Sequence, residues 1–518
     1  MAYERGSVLK KNFTASDWKR YLPRPICEEY PEYEELYDKA WELARDHVRD
    51  IPGMPQNPYM DEAFCDTQVW VWDTCFMSMF CKFAQAVFPG VETFRNFYEV
   101  IHCGRCLPSI TPTENEPSWT GAIAGVPKNI EVHIADNPPL FAWCEYENAL
   151  IHGERAYLQD LLYHQKYLQK HYDWIENLTE QQTLRGVHAP TCLIHVRDGY
   201  HWEGGRSGMD NTPRGRKGKT SQRERPKNTD MLWIDAICQQ ALSAKALSNM
   251  FGLLGDLNEQ TFWYEKFEEK QKLINDLYWD DVDRFYYDID AHDHHFYKVK
   301  TIASYWTMTA GVATRERAIA MAERLKREED FGGTLPLVSL AKDDADFSPK
   351  GKYWRGSMWL PTAYATLKGL SEYEMYADAH LLAHRILQYM LRTYRDFEPH
   401  TIWECYAPDG YRPATQVNDE TFCRPDFCGW SALGPISIYM EYVLGFHTIN
   451  AFENIVKWAK PDTFKGNIGI QNLRFGDVVT DIVANEKACT VISNRPYTLE
   501  INGKNYAVRE GKNILEYV

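Results

Sequence analysis

Apolar residues recur every three or four positions along most of this chain. Between residues 30 and 51, Tyr37, Ala40, Leu43, Ala44 and Val48 fall on one helical face, which is the spacing of an amphipathic helix. The pattern predicts at least ten helices after an arm over residues 1–35. The other nine helical segments, often in pairs, are 73–88, 137–154, 156–179, 229–252, 257–279, 300–328, 358–370, 372–395 and 426–446.

Long loops rich in Trp, Gly, Pro and Asn separate these helices, and loops between packed elements often carry functional residues. Paired helices predict an α/α toroid, with small and aromatic residues on inner helices and amphipathic outer helices. A helical solenoid is the alternative, but the sequence shows no repeat of fixed period, as a solenoid requires. The toroid is therefore the preferred architecture.

The pattern changes near residue 449, where strand-like alternation replaces the helical period. Residues 466–518 are rich in Val, Ile, Thr and Tyr, and residues 492–508 form a strand, an Asn-Gly turn and a second strand in the pattern of a hairpin. We predict a helical domain with its N-terminal arm over residues 1–448 and a small β-sandwich-like accessory domain over residues 449–518.

Composition narrows the class of function. The 518 residues, 44% of them hydrophobic, can bury a large core. The net charge of −16 argues against nucleic acid or an anionic membrane as the main partner. The 17 Trp and 32 Tyr suit a carbohydrate site, because the C–H faces of sugars stack on aromatic rings.

The 13 cysteines are odd in number and scattered. Cys103 and Cys106 form a CxxC pair, but no second pair or paired histidines complete a zinc site. Reduced thiols and the lack of a signal-like segment or membrane-length apolar run predict a cytoplasmic protein. A periplasmic location is the alternative if a signal was removed before the numbering begins. The sequence does not determine the oligomeric state.

Three stretches place charged residues among aromatic residues and glycines: 202–216, 352–364 and 401–416. Asp210 and Glu404 are the carboxylates in the most unusual surroundings. Glycosidic hydrolysis needs two such groups, one to protonate the leaving oxygen and one to activate water or attack carbon. The alternatives are a capping role for Asp210 and an ion pair of Glu404 with Arg355 or Arg412. The residues alone leave these alternatives open.

Six motifs in order add a resemblance. Residues 206–214 (RSGMDNTPR) resemble the Ser-Gly-x-Asp-Asn-Ser-Pro-Arg signature of glycoside hydrolase family 63, which is related to the family 37 trehalases. Residues 353–364 (YWRGSMWLPTAY), 403–410 (WECYAPDG) and 429–434 (GWSALG) are similar to three further motifs of these enzymes. Residues 70–76 (WVWDTCF) and 137–143 (NPPLFAW) are similar to two motifs that precede them.

The resemblance implies a mainly α fold, an (α/α)6 barrel, that hydrolyses glycosides with inversion and needs no cofactor and no catalytic metal. It implies Asp210 as general acid and Glu404 as general base, roughly 6.5–9.5 Å apart if inversion holds. The expected substrate is a small oligosaccharide or glycoside, foremost an α-linked glucoside cleaved from its end. The expected substrate-binding residues are Trp72, Asp73, Glu203, Trp354, Arg355, Gly356, Trp359, Trp403 and Trp430.

The chain departs from the family pattern in places. Ser357 replaces a proline, Ala407 replaces an asparagine and Asn137 replaces a glutamine. A basic insertion over residues 214–227 follows Asp210. We interpret it as a solvated mobile loop, the alternative being a lid or a clamp on an anionic substrate group.

Two other features have competing interpretations. Residues 288–298 hold three histidines and three aspartates, which we interpret as a polar turn rather than a metal site. A trehalase- or glucosylglycerate-type hydrolase remains open within the same class. A sugar epimerase of α/α-barrel fold, with histidines as acid and base, or a non-catalytic sugar-binding protein would be a different class.

Overall fold

The computed structural model describes residues 9, 11–50, 54–62, 69–98, 109–113, 116–120, 138–177, 194–201, 207–214 and 230–516. Eleven α-helices are named here in chain order: α1 Tyr33–Asp46, α2 Val71–Cys81, α3 Phe141–His152, α4 Arg155–Gln159, α5 Tyr167–Glu176, α6 Ile234–Leu254, α7 Leu257–Leu277, α8 Trp306–Thr309, α9 Arg315–Arg324, α10 Leu360–Glu372 and α11 Tyr376–Asp396. Two π-helices span Asp160–Gln165 and Gly434–Val443, and 3-10 helices span Trp18–Tyr21, Lys82–Ala84, Val91–Phe94, Ile302–Tyr305 and Ser431–Leu433.

The helices form two concentric layers. The inner ring runs in order through α2, α3, α6, α8, α10 and the π-helix Gly434–Val443, and it closes where Ser437 Oγ donates to the carbonyl of Met79 at 3.1 Å. Every residue of α2 and of this π-helix is buried. Outer helices bury only one face, as in α7, which buries Trp263, Phe267 and Ile274. The predicted (α/α)6 barrel is confirmed.

Local irregularities were not predicted from the periodicity. Lys166, with φ of 56°, ends the π-helix Asp160–Gln165 and separates it from α5, although the sequence predicted one helix there. The last inner segment is a π-helix with Pro435 in its first turn. Apolar spacing alone does not distinguish α from π winding, because the two differ in their backbone hydrogen-bond pattern and not in the kind of residue that they bury.

Strands lie between the helices as well as after the barrel. The strands in chain order are β1 Arg24–Cys27, β2 Val48–Arg49, β3 Tyr59–Met60, β4 Ser109–Thr113, β5 Glu116–Thr120, β6 Ile194–Val196, β7 Gly199–His201, β8 Met231–Leu232, β9 Trp279–Asp280, β10 Phe285–Tyr286, β11 Asp288–Asp290, β12 Phe296–Tyr297, β13 Thr448–Asn450, β14 Ile455–Trp458, β15 Ile468–Phe475, β16 Val478–Ala484, β17 Ala488–Ser493, β18 Tyr497–Ile501, β19 Lys504–Val508 and β20 Gly511–Glu516.

Two sheets make up the C-terminal region, with strand orders β1-β15-β16-β17-β20 and β13-β14-β18-β19. The predicted Asn502-Gly503 hairpin is confirmed, since Ile501 pairs with Lys504 across the turn and both turn residues have positive φ. Strand β1 comes from the arm that the sequence analysis placed with the helical domain, yet Arg24 pairs with Gln471 of β15. The domain boundary at residue 449 stays a prediction.

The inner helices start at one end of the barrel. Trp72 lies in the first turn of α2, while Trp359 and Trp430 come just before α10 and the Ser431–Leu433 turn. Their rings are in contact, so these helix starts meet at one place. Among the helices in the described ranges, none is long and apolar enough to cross a membrane.

Candidate active site

Four tryptophans form the wall of the site, and we call Trp72, Trp354, Trp359 and Trp430 the tryptophan cluster. Trp354 and Trp359 stack in parallel with centroids 4.2 Å apart. Trp72 lies 6.1 Å from Trp354 and 5.9 Å from Trp430. All four side chains are buried. The structure therefore brings together four of the aromatic residues that the sequence nominated, as a rigid apolar wall.

Glu404 lies beside the tryptophan cluster and is completely buried. Its Oε1 accepts hydrogen bonds from Arg424 Nη1 at 2.6 Å and from the Tyr353 hydroxyl at 3.0 Å. The backbone N–H of Arg424 donates to Oε2 at 3.2 Å. The Trp430 indole N–H donates to the Glu404 carbonyl at 3.0 Å, so the same segment that contributes to the wall also fixes the backbone of this carboxylate.

Burial raises the pKa of Glu404 above its ordinary value, while the charge and hydrogen bonds of Arg424 and the Tyr353 hydroxyl act in the opposite direction. The sequence analysis offered Arg355 or Arg412 as the ion-pair partner of Glu404. That expectation is wrong, because Arg424 supplies the ion pair from a point 20 residues further along the chain.

Asp210 lies half-buried in the tight turn 207–214. Gly208 makes this turn possible, because its φ is +83° and a Cβ there would come within 2.7 Å of the Trp72 ring. The next residue, Asn211, connects the turn to residues 352–356, which we call the Trp-Arg-Gly loop. Its Nδ2 donates to the Lys352 carbonyl at 2.9 Å and its Oδ1 accepts from the Trp354 N–H at 2.7 Å.

Those two hydrogen bonds hold a strained piece of backbone. Lys352 and Tyr353 are consecutive non-glycine residues with φ of 41° and 62°, a left-handed conformation that costs about 1–2 kcal/mol per residue. Such strain persists where surrounding contacts determine the backbone. Here it directs the Tyr353 hydroxyl to Glu404.

The far end of the Asp210 turn is anchored by Arg214. Its guanidinium is fully buried, donates to both oxygens of Asp235 and of Asp288 at 2.6–2.8 Å and lies over the Trp233 ring. The interpretation of the basic segment as a solvated loop is therefore wrong at Arg214, because two buried carboxylates compensate its charge. Residues 215–227 of that insertion lie outside the described residues.

Asp73 supplies the third carboxyl of the site, and it is only 2% exposed. Burial holds its pKa well above the ordinary value, and the charges of Glu404 and Asp210 raise it further. Glu404 and Asp210 also raise the pKa of the Tyr353 hydroxyl, again after burial. The carboxyls of three distant segments therefore influence one another electrostatically. Asp73 Oδ1 is buried and receives no hydrogen bond from the described residues.

Other nominated residues have different surroundings. Arg355 donates to the Asn211 carbonyl at 3.1 Å and lies 3.3 Å from Asp346. Gly356 lies with φ of +142° where a Cβ would come within 2.5 Å of the Ser348 carbonyl. The Trp403 ring packs with Phe397 and Phe422, so its ring contacts give no support to a substrate role. Glu203 lies outside the described residues, as do Asn137, Cys103 and Cys106.

The departures from the family pattern are accommodated locally. Ser357, in place of the proline, donates from Oγ to the Tyr353 carbonyl at 2.5 Å. That carbonyl also accepts the Trp359 indole N–H at 3.2 Å. Ala407 accepts the Tyr389 hydroxyl at its carbonyl, at 2.8 Å. The serine therefore adds a hydrogen bond within the strained loop rather than loosening it.

The segment 288–298 divides into two parts. Asp288 belongs to the Arg214 anchor, a role that the sequence analysis missed because its partner is 74 residues away. Asp290, Asp293 and His295 place ligand-type atoms within 4.8 Å of one another. Their oxygens already accept hydrogen bonds within the turn, for example Asp290 from the Tyr297 hydroxyl at 2.8 Å and Asp293 from His295 at 2.7 Å.

Comparisons with known proteins give relatives of this chain. An uncharacterised protein of Borreliella burgdorferi is 24% identical over 461 residues, which cover 87% of each chain. A probable trehalase of Eremothecium gossypii is 24% identical over 214 residues, covering 40% of this chain and 29% of the trehalase.

Two solved structures share the fold. A sialidase has a TM-score of 0.64 at 13% identity, with all of this chain aligned but only 43% of that protein spanned. A family 63 mannosylglycerate hydrolase of Thermus thermophilus has a TM-score of 0.54 at 16% identity, covering 78% of this chain and 99% of that enzyme.

A family model decides the assignment. The model for the mannosylglycerate hydrolase MGH1-like glycoside hydrolase domain matches residues 67–415, which span α2, the Asp210 turn, the strained loop and Glu404. The chain therefore belongs to this family of glycoside hydrolases.

Proposed function

We propose that this protein is an exo-acting, inverting glycosidase that hydrolyses an α-linked glucoside or a related small α-glycoside. Asp210 is the general acid and Glu404 the general base. The observation that carries the proposal is the convergence of these two carboxyls beside Asp73 and the tryptophan cluster, in unlike environments. Glu404 is buried and paired with Arg424, whereas Asp210 sits half-buried in its turn. Unlike environments separate the pKa values of an acid and a base.

The roles follow from these environments. Arg424 favours the ionised form of Glu404, the form that takes a proton from an attacking water. Asp210 donates a proton to the departing glycosidic oxygen as the bond to the anomeric carbon breaks. The tryptophan cluster stacks against the sugar face, and Asp73 Oδ1 accepts from a sugar hydroxyl. Attack by water opposite the leaving group gives inversion.

Burial supports cleavage at a chain end. Glu404, Trp354 and Trp359 are each no more than 1% exposed, so this side of the site is closed, which favours a terminal sugar over a chain that passes through. The relatives named for trehalose or mannosylglycerate chemistry favour small glycosides over polymers. A trehalase- or glucosylglycerate-type activity is the neighbouring candidate within the same reaction class.

The first experiment is a panel of trehalose, other α-linked glucose disaccharides, glucosylglycerate and mannosylglycerate, followed by proton NMR. We expect hydrolysis of at least one α-glycoside, and the sugar whose anomeric carbon is attacked should be released as the β-anomer. From trehalose, inversion should give α- and β-glucose in equal amounts, because the departing glucose keeps its α configuration. Release of the attacked sugar as the α-anomer, or of α-glucose alone from trehalose, would contradict inversion. Interconversion of free sugars without hydrolysis would instead identify an epimerase.

The second experiment separates the two roles by leaving group. Asp210→Asn and Glu404→Gln should each lower kcat on a natural glycoside by about a thousandfold. An aryl glycoside with a good leaving group needs no protonation, so it should restore much of the rate of Asp210→Asn but not of Glu404→Gln. Asp293→Asn, in the exposed turn, serves as the control. Equal rescue of both variants would contradict the assignment.

A further inference from the structure

A second buried acidic pair lies beside Asp73. Asp61 and Glu62 follow β3, and they are 2% and 0% exposed. Asp61 Oδ2 accepts from Arg49 Nε at 2.8 Å, and the Asp61 N–H donates to the His47 carbonyl at 3.0 Å. Asp61 Oδ1 and both oxygens of Glu62 are buried and receive no hydrogen bond from any donor among the described residues.

Three unpaired acceptor oxygens would be very costly if both carboxyls were ionised, because buried charges need partners. One proton resolves most of this cost. Burial, followed by the charges of Asp61 and Asp73, holds the pKa of Glu62 well above its ordinary value, and the hydrogen bond that a protonated Glu62 can donate to Asp61 acts in the same direction. A neutral Glu62 then donates to Asp61, which forms an ion pair with Arg49.

Glu62 also lies at the end of the barrel that carries the tryptophan cluster. A Cβ on Gly429 would come within 2.7 Å of the Glu62 carbonyl oxygen, so the backbone of Glu62 abuts the residue that precedes Trp430. Asp73 is near enough to influence Glu62 electrostatically. After Glu62 donates to Asp61, its second oxygen and Asp73 Oδ1 remain as buried acceptors without donors. A ligand with several hydroxyl groups would supply those donors.

Resting on the proposed function, we propose that Glu62 is a further sugar-binding residue. Its neutral carboxyl donates to Asp61 and accepts, alongside Asp73, from hydroxyl groups of the terminal sugar. The site thus uses a protonated carboxyl as a fixed donor–acceptor unit and leaves Asp210 and Glu404 for chemistry.

The test is calorimetric titration of glucose, mannose and galactose into the wild type, Glu62→Gln and Glu62→Leu. We expect at least one sugar to bind the wild type. Glu62→Leu leaves Asp61 and the sugar hydroxyl unpaired and should weaken binding about tenfold. Glu62→Gln keeps one donor and one acceptor and should lose no more than about threefold. With an active substrate, Glu62→Leu should raise KM more than it lowers kcat.

A matched control separates binding from folding. Glu441 is another buried acid, at the opposite end of the inner helices, where it pairs with Lys82 at 3.0 Å. Glu441→Gln should lower Tm and leave sugar affinity within about twofold. The inference is overturned if folded Glu62→Leu binds the sugar as tightly as the wild type, if Glu62→Gln is as weak as Glu62→Leu, or if the wild type binds none of the three sugars.

Infrared difference spectra give a readout that does not require Glu62→Leu to fold. Sugar binding should shift a protonated carboxyl band in both the wild type and Asp210→Asn, and one band that they share should be missing in Glu62→Gln. A wild type without such a shift overturns the inference. The outcome is distinguishable from failure of the proposed function, since a protein that cleaves no glycoside can still bind a monosaccharide through Glu62.

Discussion

At the scale of single residues, the sequence identified chemical groups but not their partners. Asp210 and Glu404 were recognisable because they stand among aromatic residues and glycines. Arg424, which sets the charge environment of Glu404, has no such signal. A half-exposed arginine becomes informative only when folding brings it to a carboxylate, because ion pairs depend on distance in space.

Arg424 carries the first prediction at this scale. Replacing Arg424 by Gln removes the cation that lowers the pKa of Glu404, so that pKa should rise further above the ordinary value. A general base acts only when ionised, so the acid limb of the kcat/KM profile should move to higher pH. Arg395→Gln, which removes only a surface ion pair with Glu35, should leave the limb in place. An unmoved limb in Arg424→Gln would count against Glu404 as the base.

At the scale of elements, the helices were predictable and the loops between them were not. Helices such as α6 and α10 follow from local spacing, which is a short-range property. The turn 207–214 suggested a capping aspartate. Its actual geometry depends on Asn211 contacts 141 and 143 residues away and on Arg214. Polar contacts between distant residues produce no periodic pattern in the sequence. The sequence therefore predicted where this loop lies but not which contacts hold it.

Asn211 provides the prediction at this scale. Asn211→Ala removes both hydrogen bonds to the strained Trp-Arg-Gly loop, so Asp210 and Tyr353 should lose their relative placement. We expect kcat to fall about tenfold to a hundredfold, because small misplacements of catalytic groups are costly. Stopped assays on the best substrate of the panel measure this change.

Asn472 is the matched control, since its side chain likewise makes two hydrogen bonds to distant backbone: its Nδ2 donates to the carbonyls of Arg20 and Leu22 at 2.9 and 2.8 Å. Asn472→Ala should lower Tm with little effect on kcat. If Asn211→Ala and Asn472→Ala reduced kcat equally, the loss would reflect general destabilisation.

At the scale of the whole molecule, the two ends of the barrel differ in how their buried polar groups are paired. One end carries the tryptophan cluster and unpaired acceptors. At the other end, Lys82, Glu147, Lys368 and Glu441 alternate in charge, with N–O distances of 2.5–3.3 Å. The C-terminal strands cover this end, since β13 lines the same cavity. The end opposite the tryptophan cluster is therefore held together by paired charges.

This charge network predicts acid sensitivity. Burial alone would raise the pKa of Glu147, but Lys368 and Lys82 bring it to about 2. A carboxyl with a lowered folded-state pKa stabilises the protein above its unfolded pKa of about 4.5, by about 3 kcal/mol, and loses that contribution as pH falls towards 2. Glu147→Gln should therefore lower Tm at pH 7 and show a shallower decline of Tm between pH 5 and 2 than the wild type.

The exposed Glu510 supplies the control, because Glu510→Gln should follow the wild-type curve. Thermal unfolding followed by circular dichroism at each pH makes the comparison. If Tm fell in parallel in all three proteins as the pH is lowered, the charge network would not govern the loss of stability in acid.

The pairing of β1 with β15 has a consequence for biosynthesis. Arg24 leaves the ribosome long before Gln471, its partner in the sheet. Strand β1 therefore has no partner strand until the whole barrel has been synthesised. Contacts this distant in sequence form late, because chain closure must come before pairing. Fastening of the arm therefore requires β15 to be synthesised, and until the two strands pair β15 has an open edge that a chaperone or a second nascent chain can reach.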